Sequence, residues 1–191
     1  MNFPVIRSVT LECDAVRYAC RFSRDRRYRY TWHHCWDLGL PPCGFIGLNP
    51  STADEHGPDP TVRRCINYAK SWGYGSLTML NLFAYRATDP QQLFVAATPV
   101  GRATDRHLVA QTELIAQHGG MVVAAWGNHG MHRARAAEVR RLLSARGTRL
   151  HYLVLTQAGE PGHPLYLRQD LRPLAWPDYG VVILEKRRLP H

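Results

Sequence analysis

The loop Asn49-Pro50-Ser51-Thr52-Ala53-Asp54-Glu55-His56-Gly57-Pro58-Asp59 gathers an amide, two hydroxyls, three carboxylates and an imidazole. Such a set could bind a polar ligand, place a water and move a proton, while Pro50, Gly57, Pro58 and Pro60 keep the segment out of regular structure. Comparable chemistry recurs at Asn81 within LNLFA, at Asn128-His129 after Trp126-Gly127, and at His163 between Gly162 and Pro164. Asn81 is flanked by Leu80 and Leu82. A buried amide without partners there would cost about 1–3 kcal/mol, so it either braces a loop or reads a ligand. Each group also has a plain structural role open to it. Asn49 before proline suits a turn, Asp59-Pro60-Thr61 a helix start, and His129 a cap. Trp126 beside Ala124 and Ala125 suits the core, and Asp54 and Glu55 suit a solvated loop.

These positions follow or interrupt apolar runs. CGFIGL, SLTMLNLFA, MVVAAWG and LHYLVLT are apolar on both faces and separated by helix-length segments, the pattern of parallel strands covered on two sides. Val62, Cys65, Ile66, Ala69 and Trp72 recur at helical spacing and close on Gly73 and Gly75. Thr88-Asp89-Pro90 marks a second helix start, and residues 99–118 and 131–146 read as further helices. The expected fold is α/β: a three-layer α/β/α sandwich on a central four-stranded, mainly parallel sheet, forming one domain over residues 1–191. An N-terminal hairpin extension over about residues 1–40, VRYACRFS and YRYTW around Arg24-Asp25-Arg26-Arg27, is expected as a separate β element, with YGVVIL as an additional strand near the end. In a doubly wound sheet the loops after the strand ends face one crevice.

Lys+Arg 24 against Asp+Glu 15 gives a net charge of +9, with arginines clustered at 21–29 and 133–149. That balance suits a polyanion such as DNA, and an arginine-rich solvated face would look the same. The five cysteines form no C-x2-C pair, so neither a disulfide framework nor a zinc site is expected; Cys35 beside His33 and His34 is too loose a pattern for a metal. No metal or cofactor is expected. No stretch approaches the ~20 apolar residues of a membrane span, and MNFPVIRSVTLECD lacks a secretory pattern. The chain is therefore expected to be soluble and cytoplasmic, without a membrane or an obligate protein partner.

Four motifs in order carry a resemblance. "GLNPS" resembles the first motif of the uracil-DNA glycosylase superfamily, in the asparagine form of its mismatch-specific thymine/uracil branch. "LNLFAYRATDP" is similar to its Leu-Leu-Asn strand, "VVAAWG" to its Leu-Trp-Gly strand, and "GHPLYL" to its His-Pro-Ser-Pro motif with a following leucine. The match spans Cys43 to Leu167, about two-thirds of the chain. The NPSTAD form also resembles an uncharacterised bacterial family.

The resemblance implies a DNA glycosylase-like hydrolase that flips a damaged or modified base out of the helix and breaks its N-glycosidic bond. Positive charge then develops on the sugar and negative charge on the leaving base. On that reading His163 donates to the base, Asn81 reads its edge and Asn49 orients water. Backbone N–H groups at Ser51 and Thr52 bind an oxygen, and Phe83, Tyr85 or Trp126 stacks on the base, with His129 nearby. Leu165 or Leu167 wedges into DNA, which Arg86, Arg133 and Arg135 contact. Two departures stand out. Asn49 replaces the aspartate of the fastest relatives, and an amide is no general base, which leaves Asp54, Asp59, Glu55 or His129 for that role. Pro-Ser-Pro becomes Pro164-Leu165-Tyr166. The rival readings are a hydrolase or binder of a free nucleotide or nucleoside, and a non-catalytic nucleic-acid-binding module with the same fold.

Overall fold

Residues 18–177 are described by the computed structural model, and a seven-stranded mixed sheet organises them. The strands are β1 (Ala19–Phe22), β2 (Arg29–Cys35), β3 (Pro42–Gly47), β4 (Ser76–Asn81), β5 (Met121–Ala124), β6 (Leu150–Tyr152) and β7 (Leu174–Ala175), in the spatial order β1-β2-β4-β3-β5-β6-β7. The pairings β4–β3, β3–β5 and β5–β6 are parallel; β1–β2, β2–β4 and β6–β7 are antiparallel. The helices are α1 (Pro60–Ser71), α2 (Pro90–Val95), α3 (Thr104–Gln117) and α4 (Arg135–Ser144).

Alternation along the inner strands explains their unbroken apolar character. Cys43, Phe45, Leu77, Met79 and Val123 pack against Val62, Cys65, Tyr68 and Ala69 of α1. Ile46, Leu80, Val122 and Ala124 turn the other way, onto Leu108 and Ile115 of α3 and Val139 and Leu143 of α4. Helices thus cover both faces, and successive side chains on one strand serve opposite cores.

Several expectations are corrected. The sheet has seven strands rather than four, and the hairpin is no separate element: β2 pairs with β4, Trp32 opposite Met79 and Cys35 opposite Ser76. This pairing satisfies the outer edge of β4 and buries Trp32, which a detached hairpin would leave in water. The run LHYLVLT forms only a short strand, Leu150–Tyr152. The helix sought from Pro99 begins at Thr104, because Gly101 takes a φ of +79°. The helix sought from Met131 is broken: a 3-10 turn spans Asn128–Ala134, and φ values of +51° at Arg133 and +56° at Ala134 separate it from α4. YGVVIL and the start of VRYACRFS lie outside the described residues. No helix among the described residues is long and apolar enough to cross a membrane.

The chain leaves β3 for its neighbour β4 on one side and returns to β5 on the other. The loops after β3 and β5 therefore diverge to opposite faces, which makes the carboxyl edge between them the place where open parallel sheets form their ligand crevice.

Candidate active site

The loop after β3 reaches this edge and is fastened there by its own polar groups. Asn49 Nδ2 donates to the carbonyls of Ala87 (2.8 Å) and Pro50 (3.1 Å), and the Ala87 N–H donates to the Pro50 carbonyl (3.0 Å). With its amide oriented to satisfy both ends, Asn81 donates to the carbonyls of Leu80 (3.2 Å) and Asn49 (3.3 Å). Asn81 is buried and braces the loop. A Cβ on Gly47 would lie 3.2 Å from this amide and would press on it by a few tenths of an ångström. Asp54 closes a tight turn through its carboxylate to the His56 N–H (2.9 Å), while Glu55 accepts two hydrogen bonds from Arg26. Ser51 is half-buried and Thr52 exposed beside them.

Asp59 ends the loop as the N-cap of α1. One carboxylate oxygen accepts from the Val62 N–H (2.9 Å) and the other from the Ala53 N–H (3.3 Å), and Pro60 occupies the first helical turn. The side chain is buried. The segment carrying His163 is drawn over α1. Arg64 donates to the carbonyls of Leu167 (2.5 Å) and Pro164 (3.4 Å), Tyr68 Oη to that of Arg168, and Trp72 Nε1 to that of Leu171 (3.0 Å). This brings the half-buried His163 within electrostatic reach of Asp59. Burial pushes its imidazole below the ordinary histidine range and the Asp59 carboxylate pulls the other way. His163 Nδ1 is buried without a partner. Burial thus favours the neutral ring, in which one nitrogen donates and the other accepts.

Gly127, directly after β5 and Trp126, supplies the third side. It takes φ +69° and ψ −176°, a region essentially confined to glycine, and donates its N–H to the Pro161 carbonyl (2.8 Å). A Cβ there would come 3.9 Å from His163 Cβ. Beneath it, the buried Trp126 donates to Glu160 Oε2 (2.6 Å), and Thr156 Oγ1 donates to Asn128 Oδ1 (2.6 Å), tying the turn that precedes His163 to the end of β5.

Other expected site residues stand elsewhere. Phe83 and Trp126 lie in the core at 0% and 1% exposure, so neither has a face to offer a base. Tyr85 is half-buried against Tyr28 and Arg27, and the exposed His129 packs on Phe94. Arg135 is no surface cation: at 1% exposure it donates to the Leu82 carbonyl (2.9 Å) and pairs with Glu138 and Asp105. Arg133 is exposed and donates to the carbonyls of Ala96 and Ala97. Leu167 packs into the cluster under α1 rather than standing free as a wedge, whereas Leu165 is 38% exposed. Tyr166, 85% exposed with its ring 5.4 Å from that of His163, is the large projecting side chain. Sequence reasoning also missed Gly127, Glu160 and the buried Arg29. The alternation of YRYTW, which puts Arg29 and Thr31 on one face of the strand, was the available sign of an inward arginine.

Among the described residues no group of three or more His, Cys, Asp or Glu is placed to hold a metal; His33 and His34 point to opposite faces of β2. A cavity of about 290 Å³ lies at the opposite, amino edge, lined by Cys35, Asp37, Leu40, Pro42, Ser76 and His118. β3 and β4 only begin there, and the His118 ring is engaged with the Leu114 carbonyl (2.8 Å), so the convergent polar groups lie at the carboxyl edge instead.

A family model described as "Protein of unknown function (DUF1643)" matches residues 29–165. The chain belongs to the DUF1643 family. The DUF1643 match runs from the start of β2 to two residues beyond His163 and so encloses Arg29, Asn49, Asp59, Asn81, Gly127 and His163. No curated protein and no solved structure matches the chain.

Proposed function

We propose that the chain is a hydrolase that cleaves the N-glycosidic bond of a damaged or modified base, with DNA as the source of that base. The observation that carries this reading is His163, with a buried, unpartnered nitrogen and its Cβ beside the glycine-only turn at Gly127, held within electrostatic reach of the buried Asp59 carboxylate. The leaving base needs a donor as negative charge develops on it, and His163 supplies one. The Asp59 carboxylate, fixed by the N–H groups of Val62 and Ala53, is the electrostatic counterweight for the positive sugar. Asn49 and Asn81 position the loop that closes over the ligand, and Leu165 and Tyr166 offer apolar surface beside His163 for an unstacked helix. The exposed Arg133 and the half-buried Arg86 fit a phosphate backbone. Cys20, Cys43 and Cys65, thiols in no disulfide among the described residues, fit a reducing, cytoplasmic setting. Base release from oligonucleotides, compared between wild type and His163→Ala, tests the proposal; undiminished release in the variant removes the site.

A second reading, a binding module without turnover, is favoured by one observation: the Asn49 amide is already engaged with Ala87 and Pro50. Multiple turnover on any substrate excludes it.

A further inference from the structure

β2 runs antiparallel to β4, so its first residue, Arg29, lies at the carboxyl edge beside the crevice. Arg29 is 2% exposed. A guanidinium carries five N–H donors. Here Nη1 donates to the Ala53 carbonyl (2.5 Å), while Nε is buried with no partner. Among the described residues, no carboxylate forms an ion pair with it. Asp59 and Asp54 are close enough to favour its charge, but Asp59 is engaged with the N–H groups of Val62 and Ala53, and Asp54 with that of His56. Burial lowers the Arg29 pKa to about 10, which still leaves it cationic at neutral pH. Buried charges are normally paired, and an unpaired one is costly to keep.

A second arginine, the half-buried Arg86, also has a nitrogen without a partner, while its Nη1 donates to the Arg26 carbonyl (3.4 Å). Tyr28 and Tyr85 form an antiparallel bridge, with the Arg29 N–H donating to Ala84 and the Arg86 N–H to Arg27, so Arg29 and Arg86 share one face. Arg86 Nε is also buried without a partner, and its guanidinium lies over the Phe22 ring at 5.1 Å. Arg26, 4.0 Å from the centroid of the same ring, is paired with Glu55. Arg86 forms no ion pair among the described residues and is near enough to Arg29 to disfavour its charge. Two like charges with spare donors thus converge beside the segment from Pro50, bonded to Ala87, to Ala53, bonded to Arg29.

We propose that Arg29 and Arg86, next to the Ser51-Thr52 segment, form a phosphate-binding site at the mouth of the crevice. Planar guanidinium forks match phosphate oxygens, and two of them supply the anion that the buried charge lacks. That this phosphate belongs to the substrate rests on the proposed function; the anion site itself does not. The ligand is then a nucleotide unit, free or within a strand, rather than a free base or nucleoside.

Calorimetric titration with inorganic phosphate, a nucleoside 5′-monophosphate and a short single-stranded oligonucleotide, alongside thermal unfolding, tests this on wild type, Arg86→Gln and Arg29→Met. Wild type binds phosphate saturably and unfolds at higher temperature in its presence. Arg86→Gln weakens binding about tenfold or more. Arg29→Met abolishes it yet unfolds no earlier than ligand-free wild type, because an unpaired buried charge has been removed. Should Arg29→Met not fold, Arg86→Gln decides alone. Failure of all three ligands to bind wild type, or undiminished binding in Arg86→Gln, overturns the site. Oligonucleotide affinity that falls steeply with salt assigns the phosphate to a strand; equally tight, weakly salt-dependent mononucleotide binding assigns it to a free nucleotide. Either supports the site when Arg86→Gln loses it. Phosphate binding by a wild type that releases no base removes only the glycosidic reading, and base release by a wild type that binds no phosphate removes only the anion site.

Discussion

The Asn49 side chain donates to the Ala87 carbonyl at 2.8 Å, joining two loops 38 residues apart at the carboxyl edge of the sheet. The bond needs a donor. Asn49→Asp would set an oxygen against the carbonyls of both Ala87 and Pro50. It is therefore expected to destabilise the protein by about 1–3 kcal/mol and to give no gain in turnover, although a carboxylate could serve as a general base where an amide cannot. Urea unfolding and rate measurements on the variant check this; a faster and equally stable Asn49→Asp would contradict it.

Gly127 adopts a backbone conformation that other residues avoid. Gly127→Ala is expected to lose about 1–3 kcal/mol through backbone strain. Space is no obstacle, since the added methyl would meet only His163 Cβ at 3.9 Å. The imidazole resonances of His163 should shift as the turn relaxes. An alanine variant with wild-type unfolding and unchanged resonances would contradict the assigned role.

Arg135 and Arg133 separate structure from binding. Arg135→Met is expected to lose about 2 kcal/mol or more, because a buried cation bonded to Leu82, Asp105 and Glu138 is removed. Arg133→Met should change stability by less than about 1 kcal/mol, its side chain being exposed, and should weaken DNA binding instead. Thermal unfolding and salt-dependent binding of both variants resolve the two effects; a stable Arg135→Met with weakened DNA binding would reverse the assignment.

Stability should fall in mild acid. Burial, aided by neighbouring His34, lowers the His33 pKa from 6.5 to about 4; its Nδ1 contacts Thr78 Oγ1 (2.9 Å) and its Nε2 is buried without a partner. Below pH 6.5 the unfolded chain binds a proton that the native state refuses. Stability is therefore complete above that pH and declines toward pH 4, with His33 contributing up to about 3 kcal/mol. His107, His151 and His163 are shifted in the same direction. Denaturation from pH 7 to 4 should show this slope and His33→Gln should flatten it; a flat wild-type profile would contradict the burial argument.

What the sequence disclosed follows from range. β3, β4 and β5 were legible because burial on both faces leaves continuous apolar runs, and α1 because Asp59-Pro60 and its apolar period are local signals. The joining of β2 to β4 was not, since strand pairing is non-local and Arg29 and Thr31 disguise a buried face. The break before α4 falls on Arg133 and Ala134, which carry none of the usual marks of positive φ. Arg135 looked like one more surface charge because Asp105 and Leu82 reach it only in the fold. Asp59 and His163 were each singled out, but their proximity depends on Arg64, Tyr68 and Trp72 drawing a distant segment over α1.

The central claim is that His163 and Asp59 break an N-glycosidic bond. The most direct measurement is base release from oligonucleotides carrying uracil, hypoxanthine, mismatched thymine or bulky modified bases, scored by strand cleavage after alkali. Wild type should release at least one base over multiple turnovers, and His163→Ala and Asp59→Asn should each slow that release by about 100-fold, the scale of a lost proton donor or charge-stabilising group. A blank panel, or release undiminished in both variants, would contradict the account.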